Sequence, residues 1–329
     1  MEIIGRTSLD FIGRRNVAYG VSGLLVLVGL LATVQVWRGK ANLGVDFTGG
    51  TTVQLRFDRP PDVAAVRGAL RAAGMDPELQ TLDRGDRLLV RLGRLEKETL
   101  EAERGGPAKA GEQKAPERKA EEGKLSAAQQ VEKAIRDGLP QATFTVEGIN
   151  DVGPAIGREL LVAAQKAILI SLVGIVLYIW WRFEFTFGVA ATIATLHDVL
   201  AVLGVVWLLN REITFLTVTA LLTLAGYSLT DTVVVYDRIR ENLRGRRRGT
   251  FGEVINTSIN EVLARTTMTS LTTLLAVLSI LFVGGPVLWD FAFALVLGII
   301  VGTYSSWFVA SPIVYEWRTR LQPRARSKK

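Results

Sequence analysis

The sequence contains no cysteine and a single histidine in 329 residues. The first absence excludes disulfides, thiolate metal sites and cysteine nucleophiles, although it identifies no compartment. The second leaves His197 as the one imidazole, and no serine stands where it would complete a nucleophile–base triad with it. Charge is also missing from several long stretches. Hydrophobic residues make up 49% of the chain, and they gather in runs at about Val17–Trp37, Leu161–Trp181, Phe185–Leu209, Ile213–Val235, Thr266–Val283 and Leu288–Tyr315. A helix needs about 20 apolar residues to cross the hydrocarbon. At that length in lipid only a helix satisfies its own backbone groups, so each run is expected to span the membrane. The first run is too long for the apolar region of a cleaved signal peptide, and no small-x-small site follows it, so it is expected to stay as a span.

Charge is unevenly shared between the segments that join these runs. Residues Arg38–Glu159 hold 20 Lys+Arg and 20 Asp+Glu, so the net charge of +7 belongs to the rest of the chain. It falls in three places: Arg6, Arg14 and Arg15; then Arg238, Arg240, Arg244, Arg246, Arg247 and Arg248; then Arg318, Arg320, Arg324, Arg326, Lys328 and Lys329. With six spans these segments share one face, while the opposite short loops, Asn210–Glu212 and Gly284–Pro286, carry only Arg211. The positive-inside rule places the basic face and both termini in the cytoplasm. Topology and anionic lipid headgroups account for the basic clusters, so nucleic acid is not an expected partner.

The neutral segment reads as a small folded domain. Thr51–Phe57 alternates as a strand, with Val53, Leu55 and Phe57 on one face. Pro60-Pro61-Asp62 opens a helix at Val63–Ala73. Leu79–Leu82 and Leu88–Leu92 read as paired strands, joined through Asp83-Arg84-Gly85-Asp86. Ser126–Gly138 reads as a helix with Val131, Ala134 and Ile135 on one stripe, and Ala142–Val146 as a last strand. The order β-α-β-β-α-β fits an α+β, ferredoxin-like sandwich. Residues Glu96–Lys124 are almost all Ala, Glu, Lys, Arg and Gly, a composition that cannot bury a core and reads as an insertion. Gly49-Gly50 precedes a strand where a phosphate loop would need a helix, so a turn or bulge is expected there.

Ionisable residues inside a membrane are costly and are functional candidates by default. His197 and Asp198 lie near the middle of the third run. Asp231 lies in the fourth, about 10 Å inside the cytoplasmic boundary counted back from Arg238. Tyr227, Asp231 and Arg238 share one helical stripe. Arg265 opens the fifth run, followed by Thr266, Thr267, Thr269, Ser270, Thr272 and Thr273, so the inner half of that helix is expected to face the bundle interior. Two readings of Asp231 and Arg265 stand side by side. They form a static ion pair, or they join and part so that a proton is bound and released. For His197 and Asp198 the plainer reading is a hydrogen bond between neighbouring helices. Thr250-Phe251-Gly252-Glu253 is a capping box. Phe251, Val254, Ile255, Ile259, Val262 and Leu263 form one apolar stripe behind it, which predicts a short amphipathic helix on the cytoplasmic interface.

Several stretches resemble a known family. They are Gly44-Val45-Asp46-Phe47-Thr48-Gly49-Gly50, Gly226-Tyr227-Ser228 with Thr230-Asp231-Thr232-Val233-Val234-Val235, and Asp237-Arg238-Ile239-Arg240-Glu241-Asn242. With them stand Asn260 to Arg265, Met268-Thr269-Ser270-Leu271-Thr272-Thr273, Asp290-Phe291-Ala292-Phe293-Ala294 and Gly302-Thr303-Tyr304-Ser305-Ser306. Over nearly the whole chain they are similar to the SecF subunits of the bacterial SecDF export machinery, in the resistance-nodulation-division superfamily. The resemblance implies a SecD partner, association with a SecY-type channel, and use of the proton motive force to drive unfolded preproteins across the cytoplasmic membrane. It implies proton-coupling roles for Asp231 and Arg265; Asp198, His197 and Tyr227 stand beside them as further candidates on their position within the apolar runs. It implies no cofactor, no metal and no enzymatic activity. Thr230 stands where the family often has Asn, and the insertion at 96–124 is not part of the usual domain.

The resulting expectation is a six-helix transmembrane bundle with one α+β domain between the first and second helices. Residues 1–37 carry the cytoplasmic N-terminus and first span, 38–159 the periplasmic domain, 160–315 the five-helix bundle with the amphipathic helix at 250–264, and 316–329 a basic tail. Two other functions fit the class. A transporter of small molecules or lipids would use the same logic. An intramembrane aspartyl protease using Asp198 and Asp231 would need a Gly-x-Gly-Asp run, which is missing before Asp231.

Overall fold

A computed structural model of the chain describes residues 7–82, 85–92, 127–245 and 249–321. The charged insertion at 96–124, Asp83 and Arg84 of the expected hairpin turn, Arg6, Arg246–Arg248 and the tail beyond Leu321 lie outside the described residues. In chain order the elements are α1 (Arg15–Trp37), α2 (Val45–Thr48), β1 (Gly50–Phe57), α3 (Val63–Ala72), β2 (Pro77–Leu82), β3 (Arg87–Leu92), α4 (Ala127–Gly138) and β4 (Phe144–Val152). There follow α5 (Pro154–Arg182), α6 (Phe185–Leu208), α7 (Phe215–Gly245), α8 (Phe251–Val283), α9 (Pro286–Ser305), a wide π turn at Ser306–Ala310, α10 (Ser311–Glu316) and a second π turn at Trp317–Leu321. The chain divides into two compact units, residues 44–162 and the remainder.

The smaller unit has the expected strand and helix order. Its four strands pair antiparallel in the order β2-β3-β1-β4, so β1 and β3 are central. Val53, Leu55 and Phe57 of β1 meet Val66 and Leu70 of α3, Val131 and Ile135 of α4, and Leu88 and Val90 of β3, all buried. Asp62 caps α3, accepting from the Ala64 and Ala65 amides at 2.9 and 3.4 Å. Phe144 closes the end of the core with its ring 5.5 Å from that of Phe57.

The last strand differs from its sequence outline. It begins at Phe144 and continues to Val152, because the start of β1 also needs an antiparallel partner. Gly148-Ile149-Asn150-Asp151 carries turn-forming residues that hide this continuation, and the register shifts between Gln54 and Leu55 where it begins. The Gly49-Gly50 pair is a turn, as expected. Both glycines have positive φ, 74° and 125°, a region that L side chains avoid. Around it, Asn150 donates to Asp46 at 2.9 Å and Thr51 donates to Asp151 at 3.1 Å.

In the larger unit six helices are long and apolar enough to cross a membrane. They match the six runs, with α7 and α8 extending well past the apolar stretches. Helices α6 and α7 are central, with more than half of each apolar stretch buried, whereas α5 presents most of its surface outward. Gly29 of α1 and Gly204 of α6 let two backbones touch. A Cβ at Gly29 would sit 2.3 Å from the Leu200 carbonyl oxygen, and one at Gly204 would sit 2.7 Å from the Gly29 nitrogen. Close approach at small residues is the usual means of helix association in lipid, where apolar burial offers no driving force.

The expected interfacial helix at 250–264 is corrected by the structure. The capping box is present, with Thr250 accepting from the Glu253 amide at 3.3 Å and the Glu253 carboxylate accepting from the Thr250 amide at 3.0 Å. The helix it starts, however, is α8 itself, unbroken from Phe251 to Val283. Its apolar stripe does not lie against lipid. Ile255, Ile259 and Val262 are buried with Tyr236 and Ile239 of α7 and with Phe11 and Ile12.

The polar residues between those positions hold the N-terminal segment. Asn256 accepts from the amides of Phe11 and Ile12, each at 3.0 Å, and donates to Asp10 at 2.7 Å. Asn260, one turn on, accepts from Leu9 and donates back to its carbonyl at 2.9 and 2.8 Å. The Gly13 amide and the Asn256 amide group hold the Asp10 carboxyl below the usual carboxylate range. Near the chain's end, the π turn lies just before Pro312, which has no N–H to continue a regular helix. Tyr236 donates to the Ala310 carbonyl within it at 3.1 Å.

The glycine contact generates a test. Gly204→Val forces α1 away from α6 and is expected to destabilise the bundle by about 1–3 kcal/mol, the usual cost of overpacking. Gly20→Ala, at an exposed position on α1 with open space around it, is expected to leave stability unchanged or slightly raised. Unfolding of the purified chain in mixed detergent and SDS micelles compares the two.

Candidate functional site

Polar groups on the buried faces of α6 and α7 are shut off from solvent, so each needs a partner on its own helix or a neighbouring one. Asp198 on α6 is fully buried and finds several. One carboxylate oxygen accepts from Ser228 of α7 and, at 2.7 Å, from Ser305 of α9. The other meets Nδ1 of His197 at 2.8 Å. A neutral ring with its proton on Nδ1 donates to the carboxylate and leaves a lone pair at Nε2, which is buried without a partner among the described residues. The approach of α9 depends on Gly302, where a Cβ would lie 3.0 Å from that of Ser228. A single carboxylate thus ties three helices together, the plainer of the two readings that the sequence left open.

Asp231, one helical turn beyond Ser228 on α7, occupies a separate set of hydroxyls. Its Oδ2 accepts from Ser270 of α8 at 3.1 Å, and Ser270 in turn lies 2.7 Å from Thr303 of α9. Asp231, Ser270 and Ser305 are all buried. Both carboxylates therefore lean on α9, through Ser305 and Thr303, which are two residues apart and face opposite sides of the helix.

The structure separates the other expected partners. Arg265 is exposed and forms no ion pair among the described residues. Ser270 lies five residues further along, about 140° around the helix, so the serine rather than the arginine faces Asp231. The stripe of Tyr227, Asp231 and Arg238 does not act as one group. The Tyr227 hydroxyl has no partner among the described residues, and Arg238 is engaged by Glu241 and Glu261 at 2.6 and 2.8 Å. The hydroxyl-rich start of the fifth run is divided as well. Thr266 and Ser270 point inward, whereas Thr269 and Thr272 are exposed and donate to the carbonyls of Arg265 and Met268 at 3.1 and 3.0 Å. Back-bonding to the preceding turn satisfies a hydroxyl without a neighbouring helix. Among the described residues no three carboxylate or imidazole side chains converge as metal ligands would.

Four residues in these clusters carry no role in the sequence reading: Ser228, Ser270, Thr303 and Ser305. Their available signal is a hydroxyl in the middle of an apolar helix, which in lipid must bond to something. That signal does not distinguish a hydroxyl that reaches a carboxylate from one, such as Thr272, that bonds its own helix.

Comparison with known proteins gives this geometry a context. Residues 131–320 match the family "Protein export membrane protein SecD/SecF, C-terminal", and residues 41–61, which include the glycine turn, match the "SecD/SecF GG Motif". The chain is 44% identical over 317 residues to the protein translocase subunit SecF of Thermodesulfovibrio yellowstonii, covering 95% of this chain and 96% of that one. It is 40% identical over 319 residues to the SecF of Desulfurispirillum indicum, covering 95% and 92%. Among solved structures it resembles SecDF, described as a translocon-associated membrane protein, from Thermus, with TM-score 0.74 and 38% identity over 95% of this chain. A SecDF in a "Super-membrane-facing form" gives 0.62 and 37% over 96%. The chain spans 39% of the length of each of those SecDF chains.

The difference in bonding between the two carboxylates has a measurable consequence. Asp198→Ala leaves Ser228 and His197 without their carboxylate partner and Ser305 with only the Gly302 carbonyl, and is expected to cost about 3 kcal/mol. Asp231→Ala leaves Ser270 its contact with Thr303 and is expected to cost about 1 kcal/mol. Unfolding in detergent and SDS mixtures should rank them in that order; equal costs would mean that Asp198 is not the tie between α6, α7 and α9.

Proposed function

This chain belongs to the SecD/SecF protein-export family as a SecF-type translocase subunit, and we propose that it draws on the proton motive force by loading and unloading a proton at Asp231. The observation that supports this reading is the setting of Asp231: buried in a membrane helix, with one hydroxyl donor and no ion-pair partner among the described residues. An ionised carboxylate so placed is costly. Protonation removes the cost, and so does an inward turn of Arg265. A cycle that exchanges these two solutions binds a proton in one conformation and releases it in the other. Moving one charge through 100 mV is worth about 2.3 kcal/mol, enough to bias such a pair of states.

Export is the work to which this cycle is coupled. The substrate is an unfolded preprotein, the channel is of the SecY type, and the partner is a SecD chain. The outer face of α7 and α8 supports a membrane partner. Thr223, Gly226 and Thr230 are exposed on one helix, and Arg265 and Thr269 on the other. A charged and hydroxyl-bearing face of that kind suits a second helical subunit better than lipid tails. The protein resides in the cytoplasmic membrane with both termini in the cytoplasm, where its basic segments also meet anionic lipid headgroups. His197 and Asp198 serve the bundle's integrity first and contribute to coupling by holding α9 in place, and Tyr227 lines the same helix one turn before Asp231.

The transport reading is favoured over proteolysis. An aspartyl dyad shares one proton between two touching carboxylates. Here Asp198 and Asp231 end in separate hydroxyl sets on opposite sides of α9.

The test is export into inverted membrane vesicles or cells with and without a proton gradient. Asp231→Asn is expected to accumulate to normal levels and to lose the gradient-dependent part of export entirely, while gradient-independent export continues. Arg265→Gln is expected to show the same loss. Full gradient-driven export by Asp231→Asn would remove the basis for the coupling role.

A further inference from the structure

We infer that Thr303 is a positioning residue for Asp231, acting through Ser270 by a chain of hydroxyls whose hydrogen-bond direction reverses when the carboxylate changes protonation. The inference rests on the coupling role proposed for Asp231 and adds to it residues on two further helices.

Asp231 Oδ2, Ser270 Oγ and Thr303 Oγ1 form a continuous chain with contacts of 3.1 and 2.7 Å. Thr303 Oγ1 also lies 2.7 Å from the carbonyl oxygen of Ile299, one turn earlier on α9. Three contacts are available to two hydroxyl protons, so the chain cannot make all three bonds with hydroxyl protons alone. When Asp231 is ionised it can only accept. Ser270 then donates to it, Thr303 donates to Ser270, and the Ile299 carbonyl receives nothing from Thr303. When Asp231 carries a proton on Oδ2, it donates to Ser270. Ser270 then turns its proton to Thr303, and Thr303 turns its own to Ile299. In this state all three contacts are hydrogen bonds. Within this chain the reversal needs only the two hydroxyl rotors to turn, and no bond to oxygen other than that of the bound proton is made or broken.

The chain crosses from α7 through α8 to α9, and it ends within one turn of two other devices on α9. Ser305 holds Asp198, and Ser306 donates to the Thr303 carbonyl at 2.9 Å as the wide π turn begins. A change at Asp231 therefore alters the hydrogen bonding of α9 at Thr303, beside the point where that helix leaves regular geometry. In the ionised state the Thr303 bond strengthens the Ser270 donation to Asp231, because a hydroxyl that accepts a hydrogen bond is a stronger donor to a charge.

Thr303→Val keeps the shape of the side chain and removes the hydroxyl. It is expected to lower gradient-driven export about tenfold, the equivalent of one hydrogen bond, with normal accumulation and normal gradient-independent export. Thr303→Ser keeps the hydroxyl and is expected to restore export, which a purely packing role for the lost methyl would not allow. Because Thr303 acts through Ser270, the Ser270→Ala/Thr303→Val double variant should export no less than Ser270→Ala alone. Wild-type export by Thr303→Val beside an inactive Asp231→Asn would overturn this inference and leave the coupling role standing. So would a double-variant loss equal to the product of the single losses, or a Thr303→Ser variant as impaired as Thr303→Val. Normal export by Asp231→Asn in the same assay would overturn the coupling role and this inference with it.

Discussion

The Asp198 carboxylate, bonded at once from α6, α7 and α9, is the tie on which the membrane unit's geometry depends. In water such a group would be satisfied anywhere. In the middle of an apolar bundle it is satisfied only if Ser228 and Ser305 arrive together, and α9 reaches Ser228 only because Gly302 has no side chain to hold it off. The cost of failing any of these bonds is large, since no solvent can substitute. The three helices are therefore tied at one point, and Asp231 and Thr303 lie within one turn of it on α7 and α9.

A different relation holds at Asp231. Among the described residues it has one hydroxyl donor where Asp198 has two hydroxyls and an imidazole, and Arg265, its expected cation partner, is exposed. The two carboxylates illustrate a division that suits a transport protein. One is held by donors on α6, α7 and α9; the other has a single hydroxyl donor among the described residues. The helix α9 touches the first directly through Ser305 and the second through the Thr303–Ser270 contact.

The N-terminal segment shows the same principle outside the centre. Asn256 and Asn260 lie one turn apart on α8 and bond the backbone at residues 9–12 much as a neighbouring strand would. Phe11 and Ile12 then fill the space between α8 and the aromatic rings of Trp307 and Phe308. Residues that read as a polar face of an interfacial helix are polar because they hold another piece of the chain.

Number and order of the spans were legible in the sequence, because hydrocarbon imposes a minimum length on any apolar run and the backbone permits one solution; the extensions of α7 and α8 beyond the apolar stretches were not. The β-α-β-β-α-β order was legible for a similar reason: Val53, Leu55 and Phe57 repeat every second residue, while Val131, Ala134 and Ile135 repeat at helical spacing. The ionisable candidates stood out because charge is rare in such runs. What the sequence could not decide was which of those candidates meet. Arg265 and Asp231 looked like natural partners, yet about 140° of helix rotation places Ser270 between α8 and α7 instead. Nor could it separate Ser270, which reaches a carboxylate, from Thr272, which bonds its own helix, since both are hydroxyls in one apolar run. The stripe at Phe251–Leu263 fitted an interfacial helix equally well until the N-terminal segment was seen to cover it. Periodicity is a property of one helix and is written along the chain. Contact depends on the rotation and approach of two helices at once, and only the tertiary structure sets those.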